Sequence, residues 1–125
     1  MWQDHAGNHR KAFRAIARLR ELRAFEKDHF AGARTPEDRD LLYEIGWRQG
    51  SRRPLTMKEA ILLNAGSIAT VQRRLRALRR LGVIQQRRSE SDRRVQELTL
   101  SAKTLTAFAR CDDVLQEQER RAEAA

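Results

Sequence analysis

Closely spaced arginines are the residues of this sequence with the most evident chemistry. Residues 67–94 contain nine basic and two acidic side chains, a net +7 within a chain of 125 residues whose net charge is +9. Guanidinium groups form charge-assisted, often bidentate hydrogen bonds with phosphate. A local concentration of this size indicates a surface that binds a polyanion, and nucleic acid is the leading class.

Three of these arginines share one side of a predicted helix, "SIATVQRRLRALRRLG". Val71, Leu75 and Leu78 recur at helical spacing and predict its buried edge. At about 100° per residue the opposite edge is basic and free of acid. The predicted DNA contacts of this helix are Ser67, Ala69, Thr70, Gln72, Arg73, Arg76 and Arg80. Two roles stay open for Thr70 and Gln72: contact with the bases, or packing and capping of the helix.

A second basic site lies in "SESDRRVQELTL", a polar loop followed by an alternating strand. The preceding "VIQQRRS" predicts another strand, so the segment predicts a hairpin with Arg93 and Arg94 near its tip. An arginine at such a tip suits the narrow minor groove of A·T-rich DNA, where negative potential is high. The acidic Asp92 is unfavourable at a tip that binds DNA, unless it holds a neighbouring guanidinium in position through a bidentate pair.

Helix caps define the elements that position the arginines. Thr56 and Glu59 have capping-box spacing and predict a short helix to about Leu63. Ser67 is a candidate N-cap of the basic helix, and Gly82 ends that helix. Two helices separated by a short turn are a helix-turn-helix, and the hairpin that follows makes the order that of a winged helix.

Further helices flank this core. A helix is predicted over about 9–30, and a last one from Ser101, with a polar tail after 115 expected to project into solvent or fray. A second helix is predicted from Pro36 to about residue 48, with Thr35 as its candidate N-cap. Tyr43 and Trp47 are interpreted as core residues of the second helix, with the lining of a ligand pocket as the alternative, and Cys111 as a small buried residue rather than a redox sensor. Apolar stripes on the first and last helices predict a dimer interface of Phe13, Ile16, Leu19, Leu105, Phe108 and Leu115.

The predicted fold is mainly α with a small β-hairpin wing, a winged helix-turn-helix with flanking N- and C-terminal dimerisation helices. One domain over residues 1–125 is expected, with N-terminal helices at about 9–50, the winged helix-turn-helix at 51–100 and the C-terminal helix and polar tail at 101–125.

Two segments, "LTMKEAILL" and "SIATVQRRLRALRRLGVIQQRRSESDRRVQELTLS", resemble the MarR family of bacterial winged-helix transcription regulators. The resemblance spans about residues 35–105 and is most specific over 78–100. It implies that Arg94 enters the minor groove and that Asp92 braces it. The chain departs from the family pattern at Ser101, where the family has Thr, and at Thr104, where it has Gly. Its C-terminal region is also shorter than the family's usual pair of long helices.

The expected function is sequence-specific binding of double-stranded DNA by a homodimeric transcription regulator. Whether a small-molecule effector also binds stays open. The alternatives are a winged-helix replication or RNA-binding factor, or a protein-interaction winged helix. No catalytic constellation, cofactor motif or metal-ligand cluster is found, so no enzyme, cofactor or metal site is expected. The lack of a long apolar run predicts a cytoplasmic protein with no membrane partner.

Overall fold

The computed structural model describes residues 2–30, 32–63 and 66–124. Within these ranges the chain forms five helices and three strands. The helices are α1 Trp2–His29, α2 Pro36–Gly50, α3 Met57–Leu63, α4 Ile68–Arg80 and α5 Ala102–Ala124. The strands are β1 Leu55–Thr56, β2 Ile84–Arg88 and β3 Gln96–Leu100. This arrangement confirms the predicted winged helix, mainly α with a small antiparallel wing.

The capping signals read from the sequence mark the helix starts. Thr35 and Asp38 form a capping box at α2, with Pro36 in the first turn, where its missing N–H costs no intrahelical bond. At α3 the backbone N–H of Glu59 donates to Thr56 Oγ1 over 3.1 Å, and the N–H of Thr56 donates to Glu59 Oε1 over 3.2 Å. These bonds satisfy amide donors that lack an intrahelical partner.

The three strands form one antiparallel sheet in the order β1-β3-β2. Leu98 of β3 lies opposite Leu55 of β1, and Leu100 lies opposite Ile84 of β2. The two-residue β1 was not predicted, since it is too short to show alternation. Its pairing places β3 at the centre of the sheet, so the wing is joined to the start of α3.

The sheet and helices α2 to α4 enclose a common core. Ile45 of α2 and Leu98 of β3 have no exposed surface, and Leu75 of α4 is 1% exposed. The largest fully buried side chains are Leu42, Ile45, Leu55, Val71, Leu75, Leu78 and Leu98. Each buried side chain of this size contributes about 1.5–3 kcal/mol by leaving water, so this core is the main source of the fold's stability.

The chain divides into two compact units. The winged-helix unit consists of residues 32–106, which include α2 to α4, the sheet and the start of α5. The helical unit consists of α1 and the part of α5 from Ala107 onwards. The expected single domain over residues 1–125 remains a prediction.

Aromatic packing and an ion pair connect α5 to α1 and to the residue that follows α1 within the helical unit. The ring centroids of Phe30 and Phe108 are 4.6 Å apart, and Arg18 forms an ion pair with Glu119. Cys111 is buried as predicted. Burial raises the pKa of its thiol, and the negative charges of Glu26 and Asp112 raise it further. The thiolate form that redox sensing requires is therefore disfavoured.

The core role expected for Tyr43 and Trp47 was wrong. Trp47 is 73% and Tyr43 is 40% exposed, so neither is a core residue. Each lies two residues from the fully buried Ile45, which places it about 200° around the helix from the buried side. The polar tail after Leu115 is helical to Ala124 and its side chains are mostly exposed, which agrees with the expected projection into solvent. Good helix formers and pairs such as Glu117–Arg121 support this helix without an apolar face.

Within the described part of the chain, no helix combines the length and apolar character that crossing a membrane requires.

Candidate nucleic-acid interface

Helix α4 presents its predicted basic edge to solvent. Its opposite edge is buried through Val71, Leu75 and Leu78. Most of the predicted contact residues of this helix are exposed: Ser67, Ala69, Gln72, Arg73, Arg76 and Arg80, with Thr70 partly buried. The core therefore fixes the rotation of α4, and this rotation leaves the guanidinium groups accessible.

The arginines of α4 differ in whether they have acidic neighbours. Arg74, between the two edges, approaches Asp38 of α2 with 3.9 Å between Nε and Oδ1. For Arg73, Arg76 and Arg80, the described residues provide no carboxylate within ion-pair distance. The exposed edge thus keeps its positive charge available for a partner.

The N-terminus of α4 is capped by its own side chains. Ser67 Oγ accepts the backbone N–H of Thr70 over 3.1 Å, and the two hydroxyl oxygens are 2.8 Å apart. This confirms the predicted N-cap at Ser67. The Thr70 hydroxyl already has a partner in this arrangement, which favours the capping interpretation over base contact.

Asp92 holds Arg94 at the wing tip. The Arg94 guanidinium donates from Nε to Asp92 Oδ1 over 3.2 Å and from a terminal nitrogen to Oδ2 over 3.3 Å, and the Arg94 backbone N–H donates to Oδ1 over 3.0 Å. These bonds hold the pKa of the Asp92 carboxyl below its usual value, the side-chain bond having the largest effect. The Arg94 side chain is nevertheless 92% exposed.

The wing loop is closed by backbone bonds on both sides of this pair. The N–H of Ser89 donates to the carbonyl of Val95 over 2.9 Å, and the N–H of Val95 donates to the carbonyl of Asp92 over 3.0 Å. Arg93 is exposed, and among the described residues it has no carboxylate brace comparable to that of Arg94. The structure thus distinguishes the two adjacent arginines by their orientation toward Asp92.

Residues at the start of α5 support the C-terminal end of α4. Lys103 Nζ donates to the carbonyl of Leu81 over 2.8 Å, and Thr104 Oγ1 donates to the carbonyl of Val83 over 2.8 Å. Ser101 Oγ lies 2.9 Å from Thr104 Oγ1. The two departures from the family pattern therefore form one buried hydroxyl pair that connects α5 to the turn after the basic helix.

Sequence reasoning missed Arg87 and Arg88 of β2, which are also exposed. The alternation of strand side chains could have placed them on opposite faces, but only the strand pairing shows which face is which.

The predicted dimerisation residues differ in exposure. Phe13 is 69%, Ile16 57%, Leu19 60% and Leu105 44% exposed. Phe108 and Leu115 are partly buried, and Phe108 packs against Phe30.

Comparison with known proteins shows the class of fold. No protein-family model and no curated protein matches the sequence. Among solved structures, a DNA complex of S. aureus MepR is 18% identical with a TM-score of 0.58, covering 96% of this chain and 80% of that chain. A MepR mutant bound to an oligodeoxyribonucleotide is 17% identical with a TM-score of 0.62, covering 93% of this chain and 82% of that chain.

A third solved structure is the transcriptional regulator PA4135, 13% identical with a TM-score of 0.54 over 88% of this chain and 76% of that chain. These are regulators of the MarR family, so the resemblance predicted from the sequence is confirmed in the fold. At such identities the likeness shows a shared winged-helix fold.

Proposed function

We propose that this protein is a DNA-binding transcription regulator of the MarR type that binds double-stranded DNA as a homodimer. One observation carries the proposal. The winged-helix unit combines the acid-free basic edge of α4 with an exposed, carboxylate-braced arginine at the wing tip. Solved proteins of the same fold include MepR bound to DNA, which supports the same class of partner here.

Helix α4 is proposed to enter the major groove. Its 13 residues extend about 20 Å, and a helix of ordinary diameter fits that groove. Arg73, Arg76 and Arg80 would contact phosphates and guanine edges, for which arginine is suited. Gln72, exposed on the same side, would contact adenine.

The wing is proposed to place Arg94 in the minor groove beside the major groove that α4 occupies. Its two side-chain bonds to Asp92 limit the rotamers of an otherwise exposed guanidinium. Restricting the side chain before binding reduces the entropy lost on contact. The geometry thereby supports the role that the family resemblance implied for this pair.

The homodimer is proposed because α1 is exposed over much of its length. Every residue from Gly7 to Glu21 is exposed in the single chain, including Phe13, Ile16 and Leu19. An isolated stretch of helix this short is marginally stable in water, so a second copy that covers it would contribute much of its stability. A two-fold dimer would place its α4 helices about 34 Å apart, one DNA turn.

Selection of bound duplexes from a random-sequence pool, followed by affinity measurements across salt concentrations, tests the proposal. The expected result is an enriched pseudo-palindrome and a log–log salt slope steeper than about −2. The double variant Arg73→Gln, Arg76→Gln should lose specific binding. The control Arg120→Gln, Arg121→Gln removes the same charge from α5 and should bind as the parent does.

No enriched sequence, or equal losses in the two double variants, would contradict the proposed interface. Sedimentation tests the dimer separately. A monomer at micromolar concentration that binds a single half-site with full affinity would rule out the homodimer and leave DNA binding in place.

A further inference from the structure

The two arginines of β2 lie on opposite faces of the wing. Arg88 pairs with Gln96 across the strands, in the same side-chain set as the pairs Gln86–Leu98 and Ile84–Leu100. Leu98 and Ile84 are buried in the core. Because alternate side chains of a strand share a face, Arg88 belongs to the face of the sheet that covers the core, and Arg87 belongs to the other face.

The core face of the sheet is also the face next to the basic helix. Strand β2 packs against α4, whose side chains Leu75 and Leu78 are buried in the same core as Ile84. Arg88 follows the buried Ile84 by four residues along this face and is itself exposed. Arg88 therefore lies on the α4 side of the sheet, between the core and the wing tip.

Two of the three acidic residues of the wing, Glu90 and Glu97, lie with Arg87, and the third, Asp92, braces Arg94. Glu97 is the cross-strand partner of Arg87, and Arg87, Glu90 and Glu97 line one open concavity on the outer face. Opposite charges directly across an antiparallel pair attract, which lowers the net field around Arg87. The cross-strand partner of Arg88 is the neutral Gln96, whose side-chain oxygen accepts from Gln86 over 3.3 Å.

We propose that Arg88 is a phosphate contact of the DNA complex, located between the α4 contacts and the Arg94 tip, whereas Arg87 is not a contact. This inference rests on the proposed function. A phosphate is the target because Arg88 has no brace among the described residues, unlike Arg94, and so provides positive charge without fixed direction. Phosphate contacts position a protein on DNA and carry no sequence information directly.

The matched variants Arg88→Gln and Arg87→Gln test the inference, since they make the same change in adjacent residues. Affinity is measured across salt concentrations on the selected duplex and on an unrelated duplex. Arg88→Gln should make the salt slope shallower by about 0.9 per subunit and weaken both duplexes by a similar factor. Arg87→Gln should change the salt slope by less than about half of the change that Arg88→Gln causes.

A third variant, Arg88→Lys, keeps the charge and should keep the parent's slope. Equal effects of Arg87→Gln and Arg88→Gln, or a loss confined to the selected duplex, would overturn the inference, as would a slope for Arg88→Lys equal to that of Arg88→Gln. If the parent protein enriches no sequence and shows no salt-dependent DNA binding, the proposed function itself fails, which is a distinguishable result. Unchanged melting temperatures for the variants would show that their folds are intact.

Discussion

The winged-helix unit closes its own core, whereas much of α1 in the helical unit remains uncovered by the chain. Ile45 and Leu98 of the winged-helix unit have no exposed surface. Phe13 and Leu19 of α1, residues of similar apolar character, are 69% and 60% exposed. The proposed DNA-binding surface thus rests on a self-contained scaffold, whereas the apolar side chains of α1 are exposed in the single chain, which is the observation behind the proposed homodimer.

The arginines on the exposed edge of α4 and those at the end of α5 differ in their acidic neighbours. Arg120 and Arg121 of α5 lie 3.5 and 3.6 Å from the carboxylate of Glu117, one helical turn away. Arg73 and Arg76 of α4 have no such neighbour among the described residues. Arginine content alone therefore does not distinguish these two surfaces; the exposed edge of α4 differs by having no acid nearby among the described residues.

The largest expected effect separates the two kinds of apolar residue. Leu75→Ala should lower the free energy of unfolding by about 2–5 kcal/mol at any protein concentration, because a 1% exposed side chain leaves a cavity. Leu19→Ala should change the stability of the monomer by less than about 0.5 kcal/mol and act only through dimerisation. Chemical denaturation at two protein concentrations measures both. Equal, concentration-independent losses would remove the distinction between the units.

A second prediction sharpens the contrast between braced and unbraced arginines. Arg94→Ala should weaken specific binding by about 1–3 kcal/mol, most strongly on sites with A·T-rich flanks, because the guanidinium that enters the minor groove is lost. Asp92→Asn should reproduce part of this loss, since it weakens the brace. Titration of the selected duplex provides the measurement. A larger loss of affinity for Arg93→Ala than for Arg94→Ala would show that Arg93, not Arg94, has the minor-groove role.

The winged-helix unit should also show a pH-dependent contribution to its stability. Arg48 donates to Glu59 over 2.7 Å, and this bond has the largest part in lowering the pKa of Glu59 from 4.5. A lowered folded-state pKa stabilises the protein above the unfolded value, so the contribution is complete above 4.5 and is lost as pH falls below it.

Glu59→Gln should therefore reduce the free energy of unfolding by about 0.5 kcal/mol at neutral pH, because the pair is partly exposed. The deficit should shrink as pH falls below 4.5. Denaturant titrations across pH measure it, and Glu123→Gln at the end of α5 is the control. A deficit that grows on acidification would contradict the assigned charge interaction.

A last prediction concerns the backbone of the turn after α2. Arg52 has φ 61°, a left-handed conformation that favours glycine. Arg52→Gly should stabilise the protein by up to about 1 kcal/mol, because relief of strain exceeds the added entropy of the unfolded chain. Gly82→Ala, at φ 72°, should destabilise it. Thermal melts compare the two, and shifts of the same sign would contradict this account of the backbone.

The sequence by itself determined the order of the helices and of the two wing strands, and the capped helix starts. Thr35, Thr56 and Ser67 act through bonds that close within three residues, so local spacing is enough to predict them. The same locality explains the Asp92–Arg94 pair, two residues apart on one loop. The buried edge of α4 was also predictable, because helical geometry fixes which of its side chains share a face.

Only the tertiary structure decided which apolar surfaces are covered and which strand faces meet. Trp47 looks like a core residue until packing at Ile45 fixes the rotation of α2 and leaves the indole exposed. Strand β1 exists because β3 pairs with it, not because two residues encode a strand. The separation of Arg87 from Arg88 likewise depends on register with β3. Such properties arise from contacts between distant parts of the chain, and local propensity carries no information about them.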